Sequence, residues 1–251
     1  MRGRLLALAC ASHSAEPYHL DAVQEMLATV GLGVDALQTP PSYPMDEDVR
    51  DSYIRAGGVP IPLCMDCSGK HAAMLVTCVV NGWDIRSYLD PAHPLQMRIA
   101  EYFADVTGEP VAATGVDGCG APQLATSLTA LARAYGRVVR APAGSAEEAV
   151  TSAIRGWPEH VSGTTRDEAR LIRALPGAIA KSGAEGCYAV AVPDGTAFAL
   201  KIADGSARAR SVVMTEAMRI AGYDSPALAA LGRHVLLGGG RPVGEVRAVL
   251  R

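Results

Sequence analysis

The chain has 251 residues, of which 49% are apolar and 20% charged, and this balance excludes intrinsic disorder. Its net charge is -3 and no block of like charges occurs, so nothing in the electrostatics favours nucleic acid or an anionic membrane as partner. Because mixed folds of this length are commonly single domains, we predict one domain over residues 1–251 that acts on a small molecule.

The N-terminal residues 1–14 contain two arginines and a short apolar run, but they lack the cleavage context of a signal peptide. No stretch reaches the roughly 20 apolar residues that cross a bilayer, so we expect a cytoplasmic protein. In that compartment the six cysteines are better explained as ligands, reactive thiols or core residues than as disulfides.

The unbroken apolar run of residues 5–11 predicts a buried strand that ends at Ser12. Residues 17–30 have apolar side chains at helical spacing, with Pro17 at the start and a glycine after the end, and predict an amphipathic helix. A proline-rich loop follows, and then a shorter helix that begins near Asp46 and reaches residue 56.

Residues 68–81 predict a helix with Ser68 as its N-cap and Gly82 as its stop, which places Lys70 and His71 in the first turn. Two further helices are predicted over residues 95–107 and 124–135. The passage between them, residues 114–122, contains three glycines and a proline and predicts a shaped loop.

Residues 187–192 and 197–202 flank a Pro-Asp-Gly-Thr turn and predict a β-hairpin. A helix over residues 212–221 and an edge strand over residues 243–250 complete the pattern. The predicted fold class is therefore α/β, of the α+β kind, with an antiparallel sheet and helices.

A Cys-x-x-Cys pair, Cys64 and Cys67, is typical of a redox dithiol or of half a zinc site, and two half-buried thiols are the plainer alternative. Zinc prefers thiolate and nitrogen ligands, so Cys67, Cys119 and a donor from the Lys70-His71 turn could close a site if their loops meet. Three protein ligands would leave one position for water or substrate, whereas a fourth thiolate from Cys64 would make the site structural.

The chain has three lysines among its 23 basic residues, and a lysine, unlike an arginine, can act as a base when it loses its proton. Ser12 with Lys181 would make a nucleophile and base of the Ser-Lys kind. A serine at a strand end is more often a cap or turn residue, and His13 beside it is more often a loop histidine than a base.

Five ordered motifs resemble the bacterial asparaginase II family, the zinc-binding type typified by rhizobial inducible asparaginase. The motifs are Ala-Cys-Ala-Ser-His-Ser at residues 9–14, Asp-Cys-Ser-Gly-Lys-His at 66–71, Tyr-Leu-Asp-Pro at 88–91, Gly-Val-Asp-Gly-Cys at 115–119 and Ala-Lys-Ser-Gly-Ala-Glu-Gly at 180–186. Together they span nearly the whole chain.

This resemblance implies a fold like that of the serine β-lactamases and glutaminases, and hydrolysis of L-asparagine to L-aspartate and ammonia through an acyl-enzyme. It implies a zinc ion, Zn2+, held by Cys67, Lys70 and Cys119 with water as the fourth ligand. A zinc-bound lysine must be deprotonated, which implies a lowered pKa for Lys70. Ser12 and Lys181 correspond to the second of two Ser-Lys pairs, and His71 and Asp117 correspond to residues that orient the substrate.

Family members carry an Arg-Ser-x-x-Lys motif upstream of the Cys-Ala-Ser-His-Ser segment, and no serine in this chain has a lysine three residues later. We therefore expect a domain shortened at its N-terminus relative to the family, either because the gene start lies upstream or because the protein is a shortened paralogue.

Three functions remain in competition. The leading one is asparaginase activity, with a homodimer as the expected assembly. The second is a catalytically inactive zinc-binding relic that acts as a structural or interaction protein. The third is a thiol redox protein that uses Cys64 and Cys67.

Overall fold

A computed structural model describes residues 1–250, which form two compact units. The first unit comprises residues 1–127 and 152–164, and the second comprises residues 128–151 and the described residues from 165 onward. Helices and three small antiparallel sheets make up the regular structure, so the predicted mixed α/β class is confirmed. Within the described residues, no helix combines the length and apolarity needed to cross a bilayer.

The first unit is mainly helical. Its elements are α1 (Gly3–Ala9), α2 (Pro17–Ala28), α3 (Glu47–Arg55), α4 (Ser68–Asn81), α5 (Pro94–Thr107), β1 (Ala113–Val116), β2 (Pro122–Ala125) and α8 (Pro158–Val161), with 3-10 turns at Val34–Ala36 and Pro62–Cys64. Helix α7 (Ala146–Gly156) crosses the boundary between the units.

The core of the first unit forms where α1, α2 and α4 pack together. Leu8, Met26 and Leu75, one from each helix, are fully buried there. Helix α4 ends at Gly82, whose φ of 67° is the left-handed conformation that glycine adopts without a steric penalty. At its other end α4 begins beside the apolar core, so the residues of its first turn are held in place by the packing of α1, α2 and α4.

The second unit contains a three-stranded sheet with helices around it. Its elements are α6 (Leu128–Val139), α9 (Asp167–Ala174), β3 (Ile179–Ser182), β4 (Cys187–Ala191), β5 (Ala197–Lys201), α10 (Arg210–Ile220), α11 (Pro226–Leu231), β6 (His234–Gly238) and β7 (Arg241–Val246), with a 3-10 turn at Ala207–Ala209. Strand β4 lies in the middle of the order β3-β4-β5 and is the most buried of the three. The β4–β5 hairpin was predicted from its Asp-Gly turn and is confirmed.

Helices α2, α3, α4, α5 and α10 match the predicted segments closely, because each has a clear start or stop signal. For α3 the predicted start is confirmed in detail: the Asp46 carboxylate accepts hydrogen bonds from the backbone N–H groups of Asp48 and Val49. The N-cap of α4 is Cys67, one residue before the predicted Ser68.

The predicted strand over residues 5–11 is wrong, because the structure has helix α1 over Gly3–Ala9. Leucine, alanine and arginine are strong helix formers, and an unbroken apolar run does not distinguish a buried strand from a buried helix. Ser12 therefore follows a helix and not a strand.

Three other boundaries differ from prediction. The passage over residues 114–122 is a hairpin loop flanked by β1 and β2, and the helix expected from residue 124 begins at Leu128 instead. The C-terminal strand covers Arg241–Val246 and pairs with β6. The alternation of apolar and polar residues in these short segments covers too few residues to define where each element begins and ends.

Candidate functional site

Cys67 lies at the start of α4, where the chain turns from the Pro62–Cys64 segment into the helix. Its carbonyl accepts the backbone N–H of His71 at 3.0 Å, and the hydroxyl of the next residue, Ser68, donates to the Leu63 carbonyl at 2.9 Å. The helix N-terminus provides unpaired N–H groups and a partial positive charge.

Cys119 lies in the loop of the β1–β2 hairpin, two residues after Asp117. The backbone N–H of Asp117 donates to the Ala121 carbonyl at 2.9 Å, and that of Gly120 donates to the Asp117 carbonyl at 2.8 Å. The Asp117 carboxylate also accepts the N–H of Gly118 at 2.8 Å. These bonds fix the loop, and with it the directions of the carboxylate and of the sulfur.

The two loops meet. One ligand atom from each of Cys67, Asp117 and Cys119 lies within 4.8 Å of the other two, and both sulfurs are buried. Two thiolates and a carboxylate form a donor set that suits zinc and other divalent transition metals. Within the described residues this cluster fits a metal ion, and it includes two of the three predicted ligands.

Lys70, the third predicted ligand, lies at the same site. Its Nζ is 3.5 Å from Oδ2 of Asp117, and the two side chains are about one-third exposed. Burial alone would lower the pKa of Lys70, but the nearby Cys67 and Cys119 thiols and the Asp117 carboxylate raise the pKa overall. Without a metal the amine is therefore held charged, so it must release a proton before it can bind zinc.

The thiols of Cys67 and Cys119 affect each other's protonation. A hydrogen bond from Cys67 lowers the pKa of Cys119, and the same bond together with burial raises the pKa of Cys67. The first proton therefore leaves Cys119, whose thiolate is also stabilised by the neighbouring Lys70. The thiol of Cys119 lies 3.2 Å from Oδ2 of Asp117.

His71 is buried beside this cluster. The Tyr88 hydroxyl accepts the backbone N–H of Gln38 at 3.3 Å and lies 2.7 Å from Nδ1 of His71. When the imidazole proton is on Nε2, this hydroxyl donates to Nδ1. Nε2 is buried and has no well-aligned acceptor, and His71 helps to lower the pKa of Cys119.

Tyr88 was not predicted as a site residue, although it belongs to one of the motifs quoted above. It is fully buried, and burial raises its pKa to about 12. The sequence around Tyr88 gave no signal of its role, because its partner His71 is 17 residues away in the chain.

The predicted nucleophile and base lie in different units. Ser12 is in the first unit, where its backbone N–H donates to the Val161 carbonyl at 3.1 Å. Lys181 is in the second unit on β3, opposite Ala189 of β4, and its amine donates to the carbonyl of Ser182. Their pairing stays a prediction.

Cys64 does not belong to the cluster of Cys67, Asp117 and Cys119. Its thiol is buried, and burial raises its pKa, with a smaller opposing effect from Tyr53. None of the six cysteines forms a disulfide. A buried thiol with a raised pKa is a poor nucleophile, so the geometry does not favour a Cys64-Cys67 redox dithiol.

A family model described as L-asparaginase II matches residues 1–248, which include parts of both units. No curated protein sequence matches the chain.

Proposed function

The chain belongs to the L-asparaginase II family and is an asparaginase, and from this we propose that it hydrolyses L-asparagine to L-aspartate and ammonia with Ser12 as nucleophile and Lys181 as base. The family match over residues 1–248 is the observation on which the proposal mainly depends. The substrate is a small amide, in keeping with the family match.

In the proposed mechanism the Ser12 hydroxyl attacks the carbonyl carbon of the substrate amide while a neutral Lys181 amine accepts its proton. The same proton passes to the leaving nitrogen, which departs as ammonia and leaves an acyl-enzyme. Lys181 then accepts a proton from the attacking water and returns it to the Ser12 oxygen as the acyl bond breaks and L-aspartate is released.

We propose that Cys67, Lys70 and Cys119 hold zinc and that Asp117 and His71 orient the substrate. The support is the convergence of two thiols, a carboxylate and an amine on one small volume. When bound, zinc supplies a Lewis acid that polarises a substrate oxygen. Asp117 also has the geometry of a ligand, and the variants described in the Discussion separate its role from that of Lys70.

We further propose a β-lactamase-like arrangement of a single domain, a homodimer, and a cytoplasmic location, which suits six cysteines that form no disulfide. Analytical ultracentrifugation of the purified chain tests the proposed homodimer.

The decisive experiment measures ammonia release from L-asparagine, with L-glutamine in parallel. Ser12→Ala and Lys181→Ala should each lower kcat/KM by several orders of magnitude, and the double variant should lose little more, because the two side chains act as one unit. Lys201→Ala, which removes an exposed lysine from β5 of the same sheet, is the matched control. A fully active Ser12→Ala or Lys181→Ala variant would refute the mechanism.

A further inference from the structure

The segment that follows α1 is held between the end of α8 and the loop before α4, both in the first unit. The backbone N–H of Ser12 donates to the Val161 carbonyl at 3.1 Å, and that of His13 donates to the Asp66 carbonyl at 2.9 Å. The backbone N–H of Ser14 donates to the Ser162 carbonyl at 2.7 Å. His13 is thus the residue of this segment that faces the loop of Cys67.

The imidazole of His13 continues that connection. Its Nδ1 accepts the backbone N–H of Ala15 at 3.1 Å, which places the ring proton on Nε2. Nε2 lies 2.9 Å from the hydroxyl of Ser68, and that hydroxyl donates to the Leu63 carbonyl at 2.9 Å. Each donor in this series of hydrogen bonds has one acceptor, so the direction of every hydrogen bond is fixed.

The turn after His13 is held in an unfavourable conformation. Ala15 has a φ of 59°, in the left-handed region that residues other than glycine rarely adopt. Such strain persists where surrounding contacts enforce it, and it concentrates at functional sites. Here the N–H of Ala15 is bound by the His13 ring, so the strained turn and the ring orientation depend on each other.

The residues joined by this bridge are the neighbours of two proposed site residues. His13 follows Ser12, and Ser68 follows Cys67 and is the first residue of α4. Both His13 and Ser68 are fully buried. A shift of either end therefore moves a segment that holds the proposed nucleophile or a proposed metal ligand.

We propose that His13 is a positioning residue that fixes the Ser12 segment against the metal-binding loop through its hydrogen bond to Ser68, an inference that rests on the proposed function. His13 does not act on the substrate. It sets the position of Ser12 relative to Cys67. Loss of the hydrogen bond would therefore disturb both the Ser12 segment and the Cys67 loop.

The environment of His13 keeps the bridge intact. Burial, with a smaller contribution from the stacked ring of His19 at 5.0 Å, lowers the pKa of His13 well below its ordinary value. The ring is therefore neutral at physiological pH, with Nδ1 free to accept from Ala15 and Nε2 free to donate to Ser68.

Two substitutions separate the two ring nitrogens. In His13→Asn the side-chain amide reaches as far as Nδ1, so the contact to Ala15 can form and the bridge to Ser68 cannot. In His13→Gln the amide reaches as far as Nε2 and can donate to the Ser68 hydroxyl.

His93→Asn is the matched control. Nδ1 of His93 likewise accepts a backbone N–H two residues later, from Leu95 at 3.1 Å, and Nε2 lies 3.0 Å from the Asp84 carbonyl. This histidine is also buried, but these partners belong to neither the Ser12 segment nor the Cys67 loop.

In the first measurement, L-asparagine hydrolysis, we expect His13→Asn to lower kcat by about 10- to 100-fold with KM changed by less than about threefold, since a displacement of about 1 Å can cost that much. His13→Gln should recover most of the loss. His93→Asn should keep the kcat of the original protein even if its Tm falls as far as that of His13→Asn. Unchanged kcat in His13→Asn, or an equal loss in His93→Asn, overturns the proposal.

The second measurement is a titration with Co2+, whose thiolate charge-transfer absorption reports the metal loop independently of activity. His13→Asn should bind Co2+ about tenfold more weakly than the original protein and His93→Asn equally well. Equal affinity and an identical spectrum in His13→Asn overturn the proposal. If the original protein releases no ammonia, the proposed function fails, and the Co2+ titration still decides the bridge.

Discussion

Arg210 binds Asp167 through two parallel hydrogen bonds in the second unit: Nε donates to Oδ2 at 3.0 Å and Nη2 donates to Oδ1 at 2.6 Å. The two side chains are only 10% and 18% exposed. The hydroxyl of Ser211 donates to the same carboxylate at 2.7 Å. A buried pair of this kind is costly to break from one side, because the remaining charge stays buried without compensation.

Replacing this arginine should destabilise the fold strongly. We expect Arg210→Ala to lower the free energy of unfolding by about 3–5 kcal/mol, measured by urea denaturation. Arg219→Ala is the matched control on the same helix, because its pair with Glu216 is 55% and 29% exposed, and it should cost only about 0–1 kcal/mol. Equal effects of the two substitutions would contradict the assigned role of burial.

Gly69 lies where α4 approaches α1 most closely. A Cβ at this position would come within 2.6 Å of the Leu8 carbonyl oxygen and 2.7 Å of its Cγ. We expect Gly69→Ala to lower the free energy of unfolding by about 1–3 kcal/mol through overpacking. Gly118→Ala should be nearly neutral by the same denaturation measurement, since nothing lies within 4 Å of its added carbon. A neutral Gly69→Ala would show that α1 moves aside freely.

His19 should make the protein sensitive to acid. Burial lowers its pKa to about 4, against the partial opposition of the Glu159 carbonyl and the Glu16 charge. The folded protein therefore binds this proton less readily than the unfolded chain, whose histidines titrate near about 6.5. Its contribution to stability is complete above that value and is lost as the pH falls from about 6.5 through about 4, by about 3 kcal/mol.

Urea denaturation at pH 7.5 and pH 5 measures this effect. His19→Asn retains an acceptor for the backbone N–H of Glu16, which now binds Nδ1 at 3.2 Å, but has no titrating group. The difference in stability between the two pH values should be smaller in this variant. An unchanged difference would assign the acid sensitivity to other groups.

Metal binding distinguishes the two candidate ligand sets. Cys67→Ala and Cys119→Ala should each abolish stoichiometric zinc, measured by metal analysis after dialysis. If the amine is the third ligand, as proposed, Lys70→Met should weaken zinc binding by at least about tenfold and Asp117→Asn by much less. Cys10→Ala, which removes a cysteine that belongs neither to the cluster nor to a disulfide, is the control. The reverse order for Lys70 and Asp117 would make the carboxylate the ligand.

The sequence was most informative where a local signal fixed an element. Pro17 at the first turn of α2, Asp46 before α3 and the Asp194-Gly195 turn each act through neighbouring backbone, and these elements were predicted well. The segment around Leu5 had no such signal, and its apolar run was assigned to a strand where the structure has α1.

The candidate site was predictable for a different reason. Donor chemistry and the family resemblance together indicated that Cys67 and Cys119 meet, although spacing alone left the alternatives open. What could not be predicted are contacts between residues that are far apart in sequence and that no local pattern links, such as Tyr88 with His71 or Ser68 with His13.

The β1–β2 hairpin supplies both Asp117 and Cys119 from a loop closed by the pairing of Val116 with Pro122. Because the backbone hydrogen bonds from Asp117 to Ala121 and from Gly120 to Asp117 fix the shape of this short loop, inserting or deleting one residue would change the directions of the Asp117 and Cys119 side chains. The loop is therefore constrained in length as well as in composition. A homologous chain with a longer or shorter loop would need a different set of donors, whatever cysteines it retained.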